Sequence, residues 1–216
     1  MQDPVFTRKA ELAVKLVLLA VFLAAGAAFA TLVGMGDAYD RIGEPQAQLI
    51  PFSHKHHVGD VGLDCRFCHA TVEKTAFAGM PSTNVCLGCH SQLFSQAPLL
   101  QQLRESAASG QPIAWRRVHF LPGFVYFDHS IHVGKGVACM ECHGRIDQMP
   151  LTWQVHPLQM GWCLDCHRNP APHLHPRDQV FAMPAEPLGD AETQLLARAV
   201  RLQSTQRLTD CSTCHR

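Results

Sequence analysis

The sequence has no excess of charge of either sign, few aromatic residues and only one long apolar run. Among its 216 residues, 18 Lys and Arg balance 18 Asp and Glu, so the formal net charge is zero. The basic residues form no stripe, which argues against nucleic acid as a partner. A further absence is more informative. Of the ten cysteines, none lies outside a repeated spacing, so none is left over as a lone reactive thiol.

All ten cysteines lie in copies of the motif Cys-x-x-Cys-His. Two thiols three positions apart can each form a thioether with one vinyl group of a haem, and the adjacent histidine then lies beneath the iron as its proximal ligand. The pattern therefore predicts five covalently bound haem c groups. The first to fifth motifs are Cys65, Cys68 and His69; Cys86, Cys89 and His90; Cys139, Cys142 and His143; Cys163, Cys166 and His167; and Cys211, Cys214 and His215.

Three other uses of paired cysteines explain the pattern less well. Structural zinc needs four ligands per ion but gives no reason for a histidine directly after every pair. A disulfide framework leaves the same histidine unexplained. A thioredoxin-like motif normally occurs once, between a strand and a helix, rather than five times.

The apolar run occupies residues 12–34 and contains one charged residue, Lys15. Its length is sufficient for a membrane span, which needs roughly 20 residues. A cleaved signal peptide is the alternative, because Ala28-Phe29-Ala30 resembles a cleavage site. The run is nevertheless longer than a signal peptide's apolar segment of about 7 to 15 residues. We therefore expect a transmembrane helix.

Basic residues lie on the N-terminal side of this run, at Arg8 and Lys9. By the positive-inside rule, residues 1–11 stay in the cytoplasm and residues 35–216 cross the membrane. The expected location is the bacterial inner membrane, crossed once. The haem domain would lie on the periplasmic side, where haem is attached.

Residues 35–216 must enclose five large macrocycles, so the haems themselves would form most of the core. This predicts a mostly α and irregular fold with short helices and loops, little sheet, and a helical turn opened by each motif. Two further helices are predicted. Pro98–Ser109 has Pro near its first position and Gly110 after its end, and Asp190–Leu208 has an Asp cap and leucines at helical spacing.

An internal repeat divides this domain. The sequence Phe-x-His-x-x-His, named the bis-histidine segment below, occurs at Phe52–His57 and Phe127–His132, ahead of the first and third motifs. Since Cys65 corresponds to Cys139, the offset is about 74 residues. The prediction is one domain of two pseudo-repeats, about 50–118 and 119–190, with a C-terminal arm at 190–216 that carries the fifth motif.

The remaining histidines supply candidates for the second axial ligands that an electron-carrying haem needs. Two histidines spaced by three lie on one side of a helical turn, so each bis-histidine segment could supply two haems. The fifth ligand stays open between two histidines, or a Met at position 80, 149, 160 or 183. His56 and His175 are interpreted as surface or supporting residues, and His156 stays undecided. The six candidate distal ligands are His54, His57, His129, His132, His119 and His173.

Two resemblances follow from these residues. The bis-histidine segment with its following motif resembles small multihaem cytochromes of the c3/c7 type. The whole layout resembles the pentahaem cytochrome subunit of alternative complex III, on the stretches Val118–His129 and Met160–Pro170 and the single N-terminal helix.

The second resemblance implies an electron-transfer subunit of a quinol-oxidising complex, without a catalytic site of its own. It also implies three kinds of partner: an iron–sulfur subunit related to molybdopterin enzymes, polytopic quinol-binding membrane subunits, and a monohaem cytochrome c. Electrons would pass to a periplasmic carrier.

Two rival functions fit the sequence less well. A nitrite- or hydroxylamine-converting enzyme must leave one iron open, but all five motifs end in His and spare histidines are abundant. A stand-alone membrane-anchored quinol dehydrogenase that feeds a periplasmic reductase typically has four haems and a shorter link after its helix. Arginines beside the motifs, Arg66, Arg145 and Arg168, are candidates for pairing with haem propionates.

Overall fold

A computed structural model describes residues 7–39 and 41–215, with the backbone alone for residues 35–39. The described residues form helices, turns and three isolated β-bridges, and no strand. This confirms the predicted mostly α and irregular fold. The chain divides into two units, the first ending at Arg41 and the second beginning at Ile42.

The first unit contains one long helix, α1 (Arg8–Tyr39). The Thr7 hydroxyl accepts a hydrogen bond from the Ala10 amide at its start. Its apolar span of 27 residues, Arg8–Gly34, is the one helix of the described residues long and apolar enough to cross a membrane. At about 1.5 Å per residue, that span exceeds the roughly 30 Å hydrocarbon core. Length and composition fit an anchor and also a signal sequence.

The cysteine pair of every motif lies in a helix. In three of them the helix begins at the first cysteine, as predicted: α2 (Cys65–Cys68), α6 (Cys139–His143) and α10 (Cys211–Cys214). The second and fourth motifs lie inside longer helices, α3 (Thr83–His90) and α7 (Met160–Arg168). Aspartates cap the first and fifth motif helices, because Asp64 and Asp210 accept from the amides two residues later at 2.8 and 2.9 Å.

Each bis-histidine segment also becomes helical. The first leads into a π-helix, Lys55–Asp60, and the second into α5 (His129–Gly134). The π-helix packs against a short 3₁₀ turn, Ile146–Gln148, that follows the third motif. Gly59 permits this approach, since a Cβ there would overlap the Asp147 carbonyl. The two pseudo-repeats are therefore in direct contact.

The two predicted helices outside the motifs differ in outcome. The first forms as a 3₁₀ turn, Pro98–Leu100, continued by α4 (Gln101–Ser109) and ended by Gly110 at a φ of 68°. The second is interrupted, with α8 (Asp190–Ala199) and α9 (Thr205–Leu208) separated at Arg201, whose φ is 50°. Gly189, not Asp190, occupies the cap position of α8. The arm therefore consists of two helices and not one straight helix.

The apolar core of the described residues is small. Its one cluster of buried residues comprises Val72, Val133 and Val180, with Ala78 and Phe181 packed against it. Val72 follows the first motif and Val133 follows the second bis-histidine segment. This cluster therefore joins the two pseudo-repeats beside their haem motifs.

Candidate haem-binding sites

None of the ten motif cysteines is paired in a disulfide, so each thiol is available for a vinyl group of haem. Burial raises the pKa of the Cys142 thiol to about 12 and that of Cys166 to about 11. Cys65 and Cys139, the first cysteines of the first and third motifs, lie close enough for each to shift the pKa of the other. Equivalent positions of the two pseudo-repeats therefore meet at this point.

Four of the five motif histidines have Nδ1 held by a backbone carbonyl. A carbonyl only accepts, so Nδ1 carries the proton and the Nε2 lone pair is available for a metal. Gly79 supplies one of these carbonyls from a φ of 82°, where a Cβ would lie 2.7 Å from the Thr71 hydroxyl. The four bonds are His69 to Gly79 at 2.7 Å, His90 to Leu93 at 3.0 Å, His167 to Leu208 at 2.9 Å and His215 to Phe124 at 3.4 Å.

The histidines of the bis-histidine segments are held at the same ring atom. His57 and His132 donate through Nδ1 to the carbonyls four residues before them, Ser53 and Asp128, each at 2.8 Å. The other two depend on the opposite pseudo-repeat. His129 donates to the Ala76 carbonyl at 2.8 Å, and His54 bonds to the Thr152 hydroxyl at 2.9 Å.

A phenylalanine opens each bis-histidine segment and orients both of its histidines. The Phe52 ring stacks on His57 at 4.3 Å between centroids and meets His54 edge-on at 4.9 Å. The corresponding distances from Phe127 are 4.5 Å to His132 and 4.7 Å to His129. Each segment thus presents two imidazoles, in nearly the same arrangement in both pseudo-repeats.

Three of these imidazole rings face three motif rings at one characteristic separation. A metal bonded to two imidazole nitrogens at roughly 2 Å each, the usual metal–imidazole distance, would put the ring centroids about 6 Å apart. The angle between the rings is free, because both can turn about the nitrogen–metal axis. The observed separations are 6.4 Å for His129 and His143, 6.1 Å for His57 and His90, and 6.1 Å for His132 and His167.

Burial favours the neutral form of three of these imidazoles. It lowers the pKa of His143 well below its usual range and the pKa of His132 to a smaller extent. Burial also lowers the pKa of His54 to about 4, and the nearby His69 lowers it further. A metal ligand must be unprotonated at the bonding nitrogen, so the surroundings favour the form that binds iron. The donor set of paired thiols and facing imidazoles fits covalent haem c.

The two candidates for the fifth distal ligand lie in different surroundings. The Nε2 atom of His119 lies 3.3 Å from Nδ1 of His143, behind a motif histidine. His173 donates through Nδ1 to Glu141 at 2.7 Å, which leaves its Nε2 as the metal-binding nitrogen. Of the methionines, Met149 is buried with 1% exposure, whereas Met160 is 65% exposed.

Glu141 lies between the cysteines of the third motif and joins two histidines, a contact that the sequence did not predict. Its second oxygen accepts from His175 at 3.2 Å. His175 is 6% exposed, so it is a supporting residue and not a surface one. The separations of 32 and 34 residues gave no local signal. His56 is exposed, and His156 stacks on Trp162 at 5.0 Å.

The three arginines beside the motifs each pair with a nearby aspartate. The partners are Asp64 for Arg66 at 2.8 Å, Asp147 for Arg145 at 2.6 Å, and Asp165 for Arg168 at 3.2 Å. Asp147 is buried. Propionate pairing by these arginines stays a prediction.

Two comparisons with known proteins found similar sequences. Residues 125–216 match the family model of cytochrome c7 and related cytochromes c. The chain is also similar to the multihaem cytochrome c subunit of menaquinone reductase from Nitratidesulfovibrio vulgaris (strain Hildenborough). The two are 39% identical over 97 residues, which covers 44% of this chain and 45% of that relative.

The match thus spans less than half the length of the curated relative. Motifs, ligand geometry and the family match together define the class of the chain. It is a multihaem cytochrome c with covalently bound haem c, and residues 125–216 are the part that matches the cytochrome c7 model.

Proposed function

We propose that the chain binds five haem c groups, one at each motif. In this proposal it transfers electrons as a membrane-anchored subunit of a quinol:electron-acceptor oxidoreductase of the alternative complex III type. The observation that carries the proposal is the set of three facing imidazole pairs, 6.1 to 6.4 Å apart. Two histidines on one iron leave no position for a substrate, which favours electron transfer over catalysis at the iron.

Equivalent histidines of the two bis-histidine segments are assigned to equivalent motifs of the two pseudo-repeats. His57 would serve the second motif, His129 the third and His132 the fourth. Because His54 occupies in the first bis-histidine segment the place of His129 in the second, it would serve the first motif, beside His69.

We assign His173 as the remaining distal ligand, for the haem of the fifth motif. Its Nδ1 is bonded to a carboxylate, Glu141, and such an acceptor fixes the ring orientation and raises the basicity of the other nitrogen. His119 is instead assigned as a hydrogen-bond partner of His143. Its role would be to hold that ring and not to bind iron.

When bound, haem supplies one-electron oxidation and reduction. The chain's own residues would hold and orient the ligands, and burial would favour the neutral form of His54, His132 and His143. Hydrogen bonds between Nδ1 and backbone carbonyls, the Thr152 hydroxyl and Glu141 set the basicity of each ligand and so the electron affinity of each iron. No side chain is required to move a proton.

The partners follow from the resemblance to alternative complex III. They are polytopic subunits that oxidise quinol, an iron–sulfur subunit related to molybdopterin enzymes, and a monohaem cytochrome c. The apolar span Arg8–Gly34 would anchor the chain in the bacterial inner membrane with its haems on the periplasmic side.

A second candidate function is electron transfer towards menaquinone. It is favoured by the similar subunit of the Nitratidesulfovibrio enzyme, which is named as part of a menaquinone reductase. The same series of haems would carry electrons either from quinol or towards menaquinone. The direction would then depend on the potentials of the partners.

The experiment is a mild detergent extraction of the membrane complex, with subunits identified and haem counted by mass spectrometry of this chain. Quinol-dependent reduction of a cytochrome c, and reduction of menaquinone, are then assayed with the complex and with the chain alone. Five haems, and quinol oxidation by the complex only, support the first proposal. Quinol oxidation by the isolated chain would instead make it a stand-alone quinol dehydrogenase, and menaquinone reduction alone would favour the second candidate.

A further inference from the structure

We infer that the five motifs form one unbranched series in space, in the order second, first, third, fourth, fifth, so that the second and fifth motifs are its two ends. This differs from their order along the chain. The inference rests on the proposed function, since it assumes that each motif carries a haem. It extends that function by naming the two motifs at which electrons would enter and leave the chain.

Within each pseudo-repeat, the bis-histidine segment makes two motifs neighbours. His54 and His57 are three residues apart on one turn. His57 faces the second-motif His90, and the repeat assigns His54 to the first motif. A ligand pair on a single turn cannot serve distant sites. The same holds for His129 and His132, which face the third and fourth motifs. Two adjacent pairs result, first with second and third with fourth.

The two pairs meet through the first and third motifs. The 3₁₀ turn that follows the third motif packs against the π-helix that precedes the first motif. Ligands of these two motifs are also held across the boundary, His54 by Thr152 and His129 by Ala76. These contacts centre on the first and third motifs, so the second and fourth motifs lie outward from the junction.

The C-terminal arm attaches the fifth motif to the fourth. The Leu208 carbonyl, three residues before the fifth motif, accepts from the fourth-motif His167 at 2.9 Å. The Thr205 hydroxyl donates to the Arg168 carbonyl at 3.4 Å. The fifth motif itself is bound just before the second bis-histidine segment, where the Tyr126 amide donates to the Cys214 carbonyl at 2.7 Å.

In an unbranched series, an electron that enters at one end must pass every motif to reach the other. No bond forms or breaks in this transfer. Each step oxidises one site and reduces the next, with quinol as the ultimate donor and the oxidised periplasmic carrier as the acceptor in the proposed function. The electron-donating and electron-accepting partners should therefore contact the surfaces around the second and fifth motifs.

The direct test locates the irons of the full-length, haem-loaded protein, by anomalous X-ray scattering or in a cryo-electron microscopy map of its complex. We expect the irons of the second and fifth motifs each to have one near neighbour, in the first and fourth motifs respectively. The first, third and fourth motifs should have two each. A fifth-motif iron nearest to the first or second motif, or a second-motif iron next to the fourth, would overturn the order.

A matched pair of ligand exchanges tests the same order in solution. His57→Met and His54→Met lie on one turn, and each should raise the potential of its own haem, because a thioether ligand does so. In redox titrations, His57→Met should shift the transition of one other haem and His54→Met those of two. Equal numbers, or more for His57→Met, would contradict the inference.

Failure of the proposed function would look different. A wild-type chain with fewer than five haems by mass, or with high-spin haem in its electron paramagnetic resonance spectrum, would refute the haem and ligand assignments. The spatial order of the irons that are bound would remain measurable in the same map.

Discussion

The two bis-histidine segments each hold one histidine locally and the other through the opposite pseudo-repeat. His57 and His132 bond to carbonyls four residues back in their own segments. His54 and His129 bond instead across the boundary, to a threonine hydroxyl and to a backbone carbonyl. The local part is nearly identical in both repeats, whereas the long-range part differs in chemistry. The two pseudo-repeats are therefore held together around the first and third motifs.

Removing whole motifs should give the largest difference between the C-terminal arm and the two pseudo-repeats. Cys211→Ser with Cys214→Ser should lose one haem and leave four, because the arm meets the rest at its edge. Cys139→Ser with Cys142→Ser should lose more than one, because the third motif contacts the first and is followed by Met149, whose carbonyl accepts from the Lys55 amide at 3.0 Å. Mass spectrometry of the purified chain counts the haems. Loss of a single haem in both variants would show that the repeats load independently.

Removing a locally held ligand should have the next largest effect, and an equal one in both repeats. His57→Ala and His132→Ala should each convert one haem from low to high spin, because the iron loses its sixth ligand. Electron paramagnetic resonance and carbon monoxide binding report this change. His56→Ala is the control, since His56 is exposed beside His57. High-spin haem in the control, or none in either test variant, would contradict the ligand assignment.

The local features were predictable from the sequence and the long-range ones were not. Motif spacing predicts helical turns, and Gly110 predicts the end of α4, because both depend on neighbouring residues. The break at Arg201 left no signal, since a positive φ at arginine is set by its surroundings and not by its own preference. Thr152 and Glu141 contact histidines that are 98 and 32 residues away. Such contacts depend on how the repeats pack.

Removing a hydrogen bond that reaches a ligand from the opposite pseudo-repeat should lower the free energy of unfolding by a smaller amount. This loss can be produced by a side-chain substitution in only one of the two repeats. Thr152→Val would leave the buried Nδ1 of His54 without its partner, which costs about 1 to 3 kcal/mol. Denaturant unfolding of the haem-loaded protein measures this loss. No side-chain substitution removes the corresponding support of His129, because a backbone carbonyl provides it. Thr152→Ser keeps the hydroxyl and should restore stability. If serine is as destabilising as valine, the hydrogen bond is not the cause.

The smallest effects are expected from substitutions of the phenylalanines, which test whether the two bis-histidine segments are equivalent. Phe52→Leu and Phe127→Leu each remove a ring that stacks on one ligand and meets another edge-on, and such contacts contribute about 0.5 to 1.5 kcal/mol beyond the area they bury. The stacking distances differ by little, 4.3 against 4.5 Å. The two losses of unfolding free energy should therefore agree within about 0.5 kcal/mol, the usual spread of neutral substitutions. A clear inequality would mean that the surrounding repeat, and not the bis-histidine segment itself, sets the strength with which these ligands are held.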